Sequence, residues 1–299
     1  MKLLTFTIIL LAIQAVSDAP VIDPDQLLRD VQVLSADDME GRKVDSPGSA
    51  KARTYILERF QQAGIKRFST SYEQPFTFQF SKDKVTHKGV NIVGVVPGLS
   101  SERMIVLTAH YDHLGVRKGQ IYNGADDNAS GVAALFAIGS HFTKHPPKNS
   151  LIVTALDAEE ESGAGGEELV KALDKQKIVM NVNLDMIGRD KNNILYAAGT
   201  HHYPQLKPYL EKVAAKSDVK LLFGHDKPDL KNVEDWTKDS DHYAFHRRGI
   251  PFIYFGVEDY EHHHKSTDDF ENMTHDFYVR AVQTIILALQ EFDITSTGK

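Results

Sequence analysis

Apolar positions fall into three successive patterns along this chain. Between Asp23 and Ser35, residues Leu27, Leu28, Val31 and Leu34 recur at helical spacing, and Asp23 stands ahead of Pro24 as an acceptor for the first turn. Tyr55, Ile56, Phe60 and Ala63 mark the inner face of a second helix, capped by Ser46 or Ser49 and stopped at Gly64. From Tyr72 to Pro97 the period shortens to two, in FTFQF and VNIVGVV, which predicts an antiparallel, hairpin-like pair at a sheet edge. Beyond Met104 the grammar becomes strand, loop, helix, repeated. Continuous apolar runs predict strands over 104–109, 151–156, 179–184 and 251–255, with helices over 129–142, 165–173, 204–216 and 275–292. Such alternation predicts an α/β fold: a mainly parallel central sheet with antiparallel edge strands and helices on both faces. No repeat or low-complexity tract divides residues 18–299, which are expected to form a single catalytic domain. Met39-Glu40-Gly41-Arg42, between the first two helices, reads as too polar for a core.

Composition narrows the function. The 299 residues, 41% of them hydrophobic, suffice for one large core. A net charge of -7 leaves no basic surplus to meet phosphates, which argues against a nucleic-acid partner. Met1-Lys2 followed by LLTFTIILLAIQAV and the small residues Ala15-Val16-Ser17 predict a signal peptide over 1–17 and an exported protein, periplasmic or secreted. The apolar run is shorter than the roughly 18 residues that span a bilayer, and no later segment is longer, so no membrane span is expected after cleavage. Cysteine is absent, which excludes disulfides, a thiol nucleophile and cysteine zinc sites.

Candidate chemistry collects where the apolar runs stop. IVLTAH ends at His110, LIVTALDAEE at Glu159 and Glu160, NVNLD at Asp185, and the run beginning at Pro251 leads to His264. In an open α/β sheet, ligands gather beyond the carboxyl ends of the strands, so these positions are expected to converge. Asp126 or Asp127, in the glycine-flanked GADDNASG turn, adds a carboxylate, although Asp127 or Asn128 also suits a helix cap. Asp112 lies two residues after His110, where it can hold the second ring nitrogen. Within Glu159-Glu160-Glu161 one carboxylate can ligate a metal while its neighbour serves as a general base. A lone Asp185 beside Leu184 and Met186 would cost several kcal/mol to bury, so it needs a cation or Arg189. Imidazoles, carboxylates and a spare Glu suit a two-metal hydrolase.

The segments EGR (40–42), NIVGVVPG (91–98), TAHYDHLG, NGADDNASGVAAL, ALDAEE, NLDMIGRD, SDHYAFHRRGIPFIYF and HKSTDD occur in the order found in co-catalytic di-zinc aminopeptidases of the exported bacterial kind. The resemblance covers nearly the whole chain from Asp23. It implies two Zn2+ per chain, one held by His110, Asp127 and Asp185, the other by Asp127, Glu160 and His264. It further implies Glu159 as general base, Asp112 as the residue orienting His110, a cis peptide after Asp127, and a peptide or small aminoacyl substrate. Glutaminyl cyclase, from the same superfamily but with a single zinc, is the nearest alternative. Cyclases typically place Trp before the last His ligand and an acid two residues before the His of the DH pair, where this chain has His263 and Ser240. A metal-binding domain without catalysis ranks last, because Glu159 is present beside every ligand.

Overall fold

The computed structural model describes residues 20–79, 85–228 and 230–295; the expected signal peptide lies outside them. Its helices are α1 (Pro24–Leu34), α2 (Pro47–Gln62), α3 (Gly131–Lys144), α4 (Glu159–Ser162), α5 (Ala164–Ala172), α6 (Lys207–Ala214), α7 (His242–His246) and α8 (His275–Thr295). Asp23 accepts a hydrogen bond from the Gln26 amide at the start of α1, and Ser46 does the same for Ser49 at the start of α2. These side chains satisfy amides that the first helical turn leaves free.

Nine strands form the main sheet: β1 (Lys66–Arg67), β2 (Glu73–Gln79), β3 (Thr86–Val96), β4 (Ser100–His110), β7 (Asn149–Leu156), β8 (Ile178–Leu184), β9 (Ile194–Ala198), β10 (Lys220–Phe223) and β11 (Phe252–Gly256). A small hairpin of β5 (Gly115–Arg117) and β6 (Gln120–Tyr122) stands apart. The order is β1, β3, β7, β4, β8, β11, β9, β10, with β2 also on β3. Strands β7, β4, β8 and β11 run parallel at the centre, and β3 and β9 flank them antiparallel. The mainly parallel sheet with antiparallel edges is therefore present; β9 and β10 extend it on a side that the sequence pattern had left without strands.

Alternation along the central strands builds two cores. Ile105, Leu107 and Ala109 of β4, with Leu151, Val153 and Ala155 of β7, join α1, α2, α3 and α8 on one face. Val106, Ile152 and Leu156 meet Leu169 and Val170 of α5 and Phe245 of α7 on the other. Strands buried on both faces read as unbroken apolar runs, as these do. From β4 the chain passes through α3 to β7 on one side, then returns to β8 on the other. Strand order thus reverses around β4, and such a reversal opens a crevice at the carboxyl ends of the strands.

Candidate metal centre

His110 closes β4 at that crevice and is 1% exposed. Its Nε2 lies 3.2 Å from Asp185 Oδ1 and 3.3 Å from Asp127 Oδ1. Asp185 follows the last residue of β8, and its amide donates to the Phe255 carbonyl of β11. Asp127 lies in a short π-helical loop, Ala125–Ser130, and the Asp127–Asn128 peptide is cis. Three ties aim this loop. The Asp268 carboxylate accepts from the amides of Asp126 and Asp127, both at 2.9 Å; Asn128 Nδ2 donates to the Leu184 carbonyl; and the Met186 amide donates to Asn128 Oδ1. Asp126 turns away and accepts from the Gly188 amide at 2.6 Å, so Asp127 is the acid at the cluster.

The other oxygen of Asp127 serves a second group. Oδ2 lies 3.3 Å from His264 Nε2, which is 3.0 Å from Glu160 Oε2. Sequence reasoning missed two further imidazoles here. His113 donates from Nδ1 to Glu160 Oε1 at 2.6 Å and stands 3.6 Å from Asp127 Oδ2, while His263 Nε2 is 3.7 Å from the same oxygen. Among the described residues, three triads bring their ligand atoms within 4.8 Å of one another: His110, Asp127 and Asp185; His113, Asp127 and Glu160; and Asp127, His263 and His264. The only sequence signal for His113 was its place three residues after His110 in HYDH.

Asp112 is fully buried, but its carboxylate is not the nearest partner of His110. His110 Nδ1 lies 3.1 Å from the Asp112 carbonyl oxygen and 3.7 Å from the carboxylate. The carboxylate accepts instead from the amides of Glu159 and Glu160, at 3.1 and 3.3 Å. Asp112 therefore meets His110 mainly through its backbone, and its side chain fixes the turn into α4. Arg189, the alternative counter-ion for Asp185, is engaged elsewhere: it pairs with Asp259 and, at 2.8 Å, with Asp268. The segment read as too polar for a core contains the largest fully buried side chain, Arg42. Its guanidinium donates to the carbonyls of Leu34, Tyr111, Asn123 and Gly124, bracing the chain on both sides of the cluster. Burial holds it down to about 10, with Asp127 and Asp268 opposing. Gly41, at φ 63°, leaves room for this turn, since a Cβ there would lie 2.4 Å from the Tyr122 carbonyl oxygen.

Charge at the cluster is unbalanced. Burial opposes ionisation of Asp127, yet the His113 charge and the hydrogen bonds of His110 and His264 hold it well below the usual carboxylate range. Burial and Asp127 likewise oppose ionisation of Glu160, and the imidazoles of His113 and His264 overcome them. Bonds to Asp127 and Glu160 raise His264 to about 10. Ionised carboxylates thus lean on imidazoles that would have to be protonated. A nitrogen and oxygen donor set without sulfur, with one carboxylate presenting an oxygen to each side, suits borderline divalent cations that replace those protons.

A family model described as peptidase family M28 matches residues 91–289. The chain belongs to peptidase family M28. A probable zinc metalloprotease of Phaeosphaeria nodorum is 26% identical over 168 residues, covering 48% of this chain and 34% of that protein. Another, from Pyrenophora tritici-repentis, is 25% identical and covers 56% of this chain and 45% of its own. The chain thus spans less than half the length of these curated relatives. An aminopeptidase from Aneurinibacillus sp. strain AM-1 superposes with a TM-score of 0.74 at 15% identity, covering 90% of this chain and 93% of that one. A glutaminyl cyclase from Porphyromonas gingivalis gives 0.75 at 16%, covering 91% and 99%. These two likenesses show the M28 chain's fold, a mainly parallel α/β sheet with antiparallel edges.

Proposed function

We propose that this M28 protein is an exported, zinc-dependent aminopeptidase acting on the N-terminal bond of a peptide or small aminoacyl substrate. One observation carries the reading: Asp127 faces His110 with Oδ1 and His264 with Oδ2, so a single carboxylate stands between two ligand groups. His110, Asp127 and Asp185 would hold one zinc, and Asp127, Glu160 and His264 the other. When bound, zinc supplies Lewis acidity and activates water near neutral pH.

Glu159 is the acid left free. Burial foremost raises its carboxyl well above the usual range, and Asp241, Asp185 and Glu160 add to this while His110 opposes. A carboxylate so placed takes a proton readily and keeps it for the leaving amine. Asp112 fixes the amides of Glu159 and Glu160, so base and ligand keep their separate directions. The cyclase reading is the runner-up, supported by the cyclase fold match. Against it, His263 rather than Trp precedes His264, the last candidate His ligand, and Ser240 accepts from Asn183 at 2.9 Å where cyclases carry an acid.

Purified protein assayed on aminoacyl amides beside a Gln-peptide cyclisation assay, with zinc counted by elemental analysis, tests this proposal. Amide release with two zinc ions per chain is expected. Cyclisation with one ion would replace the aminopeptidase by the cyclase.

A further inference from the structure

Next to the cluster lies a cavity of about 290 Å³ whose lining is unusually acidic. Eight of its sixteen lining residues are Asp or Glu, and none is Lys or Arg. Asp127, Glu159, Glu160 and Asp185 belong to the machinery proposed above, and Asp259 is neutralised by Arg189. Glu234, Asp239 and Glu258 remain, all exposed at the mouth. Among the described residues neither Glu234 nor Asp239 has a cation partner, and Glu258 meets the His225 imidazole at 3.1 Å and accepts from the hydroxyls of Tyr196 and Tyr260, each at 3.5 Å.

The walls between this acidic rim and the cluster are apolar and rigidly held. Trp236 stacks on His225 at 3.6 Å with a 10° interplanar angle, and Tyr254 meets Trp236 edge-on at 5.6 Å. His225 also approaches the Glu234 carbonyl through Nδ1, at 3.0 Å, so one imidazole braces Glu234, Trp236 and Glu258 together. Tyr254 supplies an independent sign that a ligand belongs here. It is only 7% exposed and lines the cavity, yet its hydroxyl has no hydrogen-bond partner among the described residues. Gly256, two residues along β11, makes room for its ring, since a Cβ there would lie 2.6 Å from Tyr254 Cε1. With the ring enclosed and the hydroxyl open only toward the cavity, water or a ligand held there completes it.

We propose that this cavity selects substrates whose N-terminal residue carries a cationic side chain, lysine or arginine. The alkyl stem lies along Trp236 and Tyr254, the Tyr254 hydroxyl meets polar atoms of the bound residue, and Glu234, Asp239 and Glu258 face the charge. Long cationic side chains are built this way, an apolar stem under a hydrated head, and aromatic faces add attraction for the cation. Burial, then Asp235, Glu234 and Asp185, raise the Asp239 carboxyl, a repulsion that an entering cation relieves. The inference rests on the aminopeptidase reading for the position of the substrate's first residue.

Zinc-loaded protein assayed on arginyl, lysyl, leucyl and glutamyl methylcoumarin amides tests it. kcat/KM for Arg and Lys is expected to exceed that for Leu by about tenfold or more, the scale of two or three partly exposed charge pairs. Added salt should narrow the gap, and Asp239→Asn with Glu234→Gln should draw the Arg to Leu ratio toward one. A leucine preference, or an unchanged ratio in the double variant, overturns the proposal. Calorimetric titration of L-arginine and L-leucine into the zinc-loaded protein decides it without turnover. Tighter arginine binding that the double variant loses supports it, and equal affinities overturn it. Failure to release any aminoacyl amide would sink the aminopeptidase reading, while the titration would still judge the cavity.

Discussion

Glu159 and Glu160 are neighbours in sequence with opposite proton preferences. Burial keeps the first protonatable, and imidazoles hold the second ionised. Glu159→Gln is therefore expected to keep the zinc content and fold of the parent protein and to cut turnover by about a hundredfold or more, the scale of a general base. Glu160→Gln should instead lower zinc content, read by elemental analysis after gel filtration. The reverse pattern would shift the base by one residue. His110 and Asp185 were legible as the ends of apolar runs, whereas the choice of Asp127, Glu160 and His264 among their neighbours came from the family resemblance. His113 and His263 were not legible, since a histidine close to a candidate ligand has no pattern of its own. Asp268 was not legible either, since its grip on two amides depends on a contact 141 residues away in sequence.

At the scale of elements, the segment at Arg42 shows where composition misleads. A polar turn was expected to stay outside, but Arg42 is buried because four carbonyl oxygens take up its donors. Arg42→Met should leave those acceptors unpaired and cost about 3 kcal/mol or more, seen as a lower urea midpoint; a change below about 1 kcal/mol would mean that water replaces the guanidinium at little cost. His242, at the start of α7, is also fully buried, with Nε2 2.9 Å from the Trp236 carbonyl. Burial pushes it down to about 3 from 6.5. The native state thus binds this proton less readily than the unfolded chain. Its contribution to stability is present above pH 6.5 and is lost as pH falls toward 3. Replacing His242 with Gln should flatten the acid limb of stability against pH between those values, and an unchanged limb would remove His242 from the account. Among strands, the buried central four were readable as continuous apolar runs. β10 was not, because a four-residue edge strand with alternating exposure resembles a loop.

Across the whole molecule, the candidate ligands come from the ends of β4 and β8, the π-helical loop after β6, the start of α4 and the turn that follows β11, so the cluster joins segments more than 150 residues apart. The unfolded chain cannot present them together, and binding energy at such a site becomes folding energy. Without zinc, the carboxylates of Asp127 and Glu160 are opposed mainly by imidazoles, at the cost of holding protons on them. Zinc removal should therefore lower the melting temperature and leave the sheet intact. At a free zinc concentration about a thousandfold above Kd, one site contributes about 4 kcal/mol, or roughly 10 °C for a domain of this size. Scanning calorimetry before and after chelation, then after zinc is restored, checks this. Full recovery of the midpoint with zinc and none with magnesium is expected, because imidazole donors discriminate against magnesium. A midpoint that chelation leaves unchanged would mean that these residues hold each other without a metal.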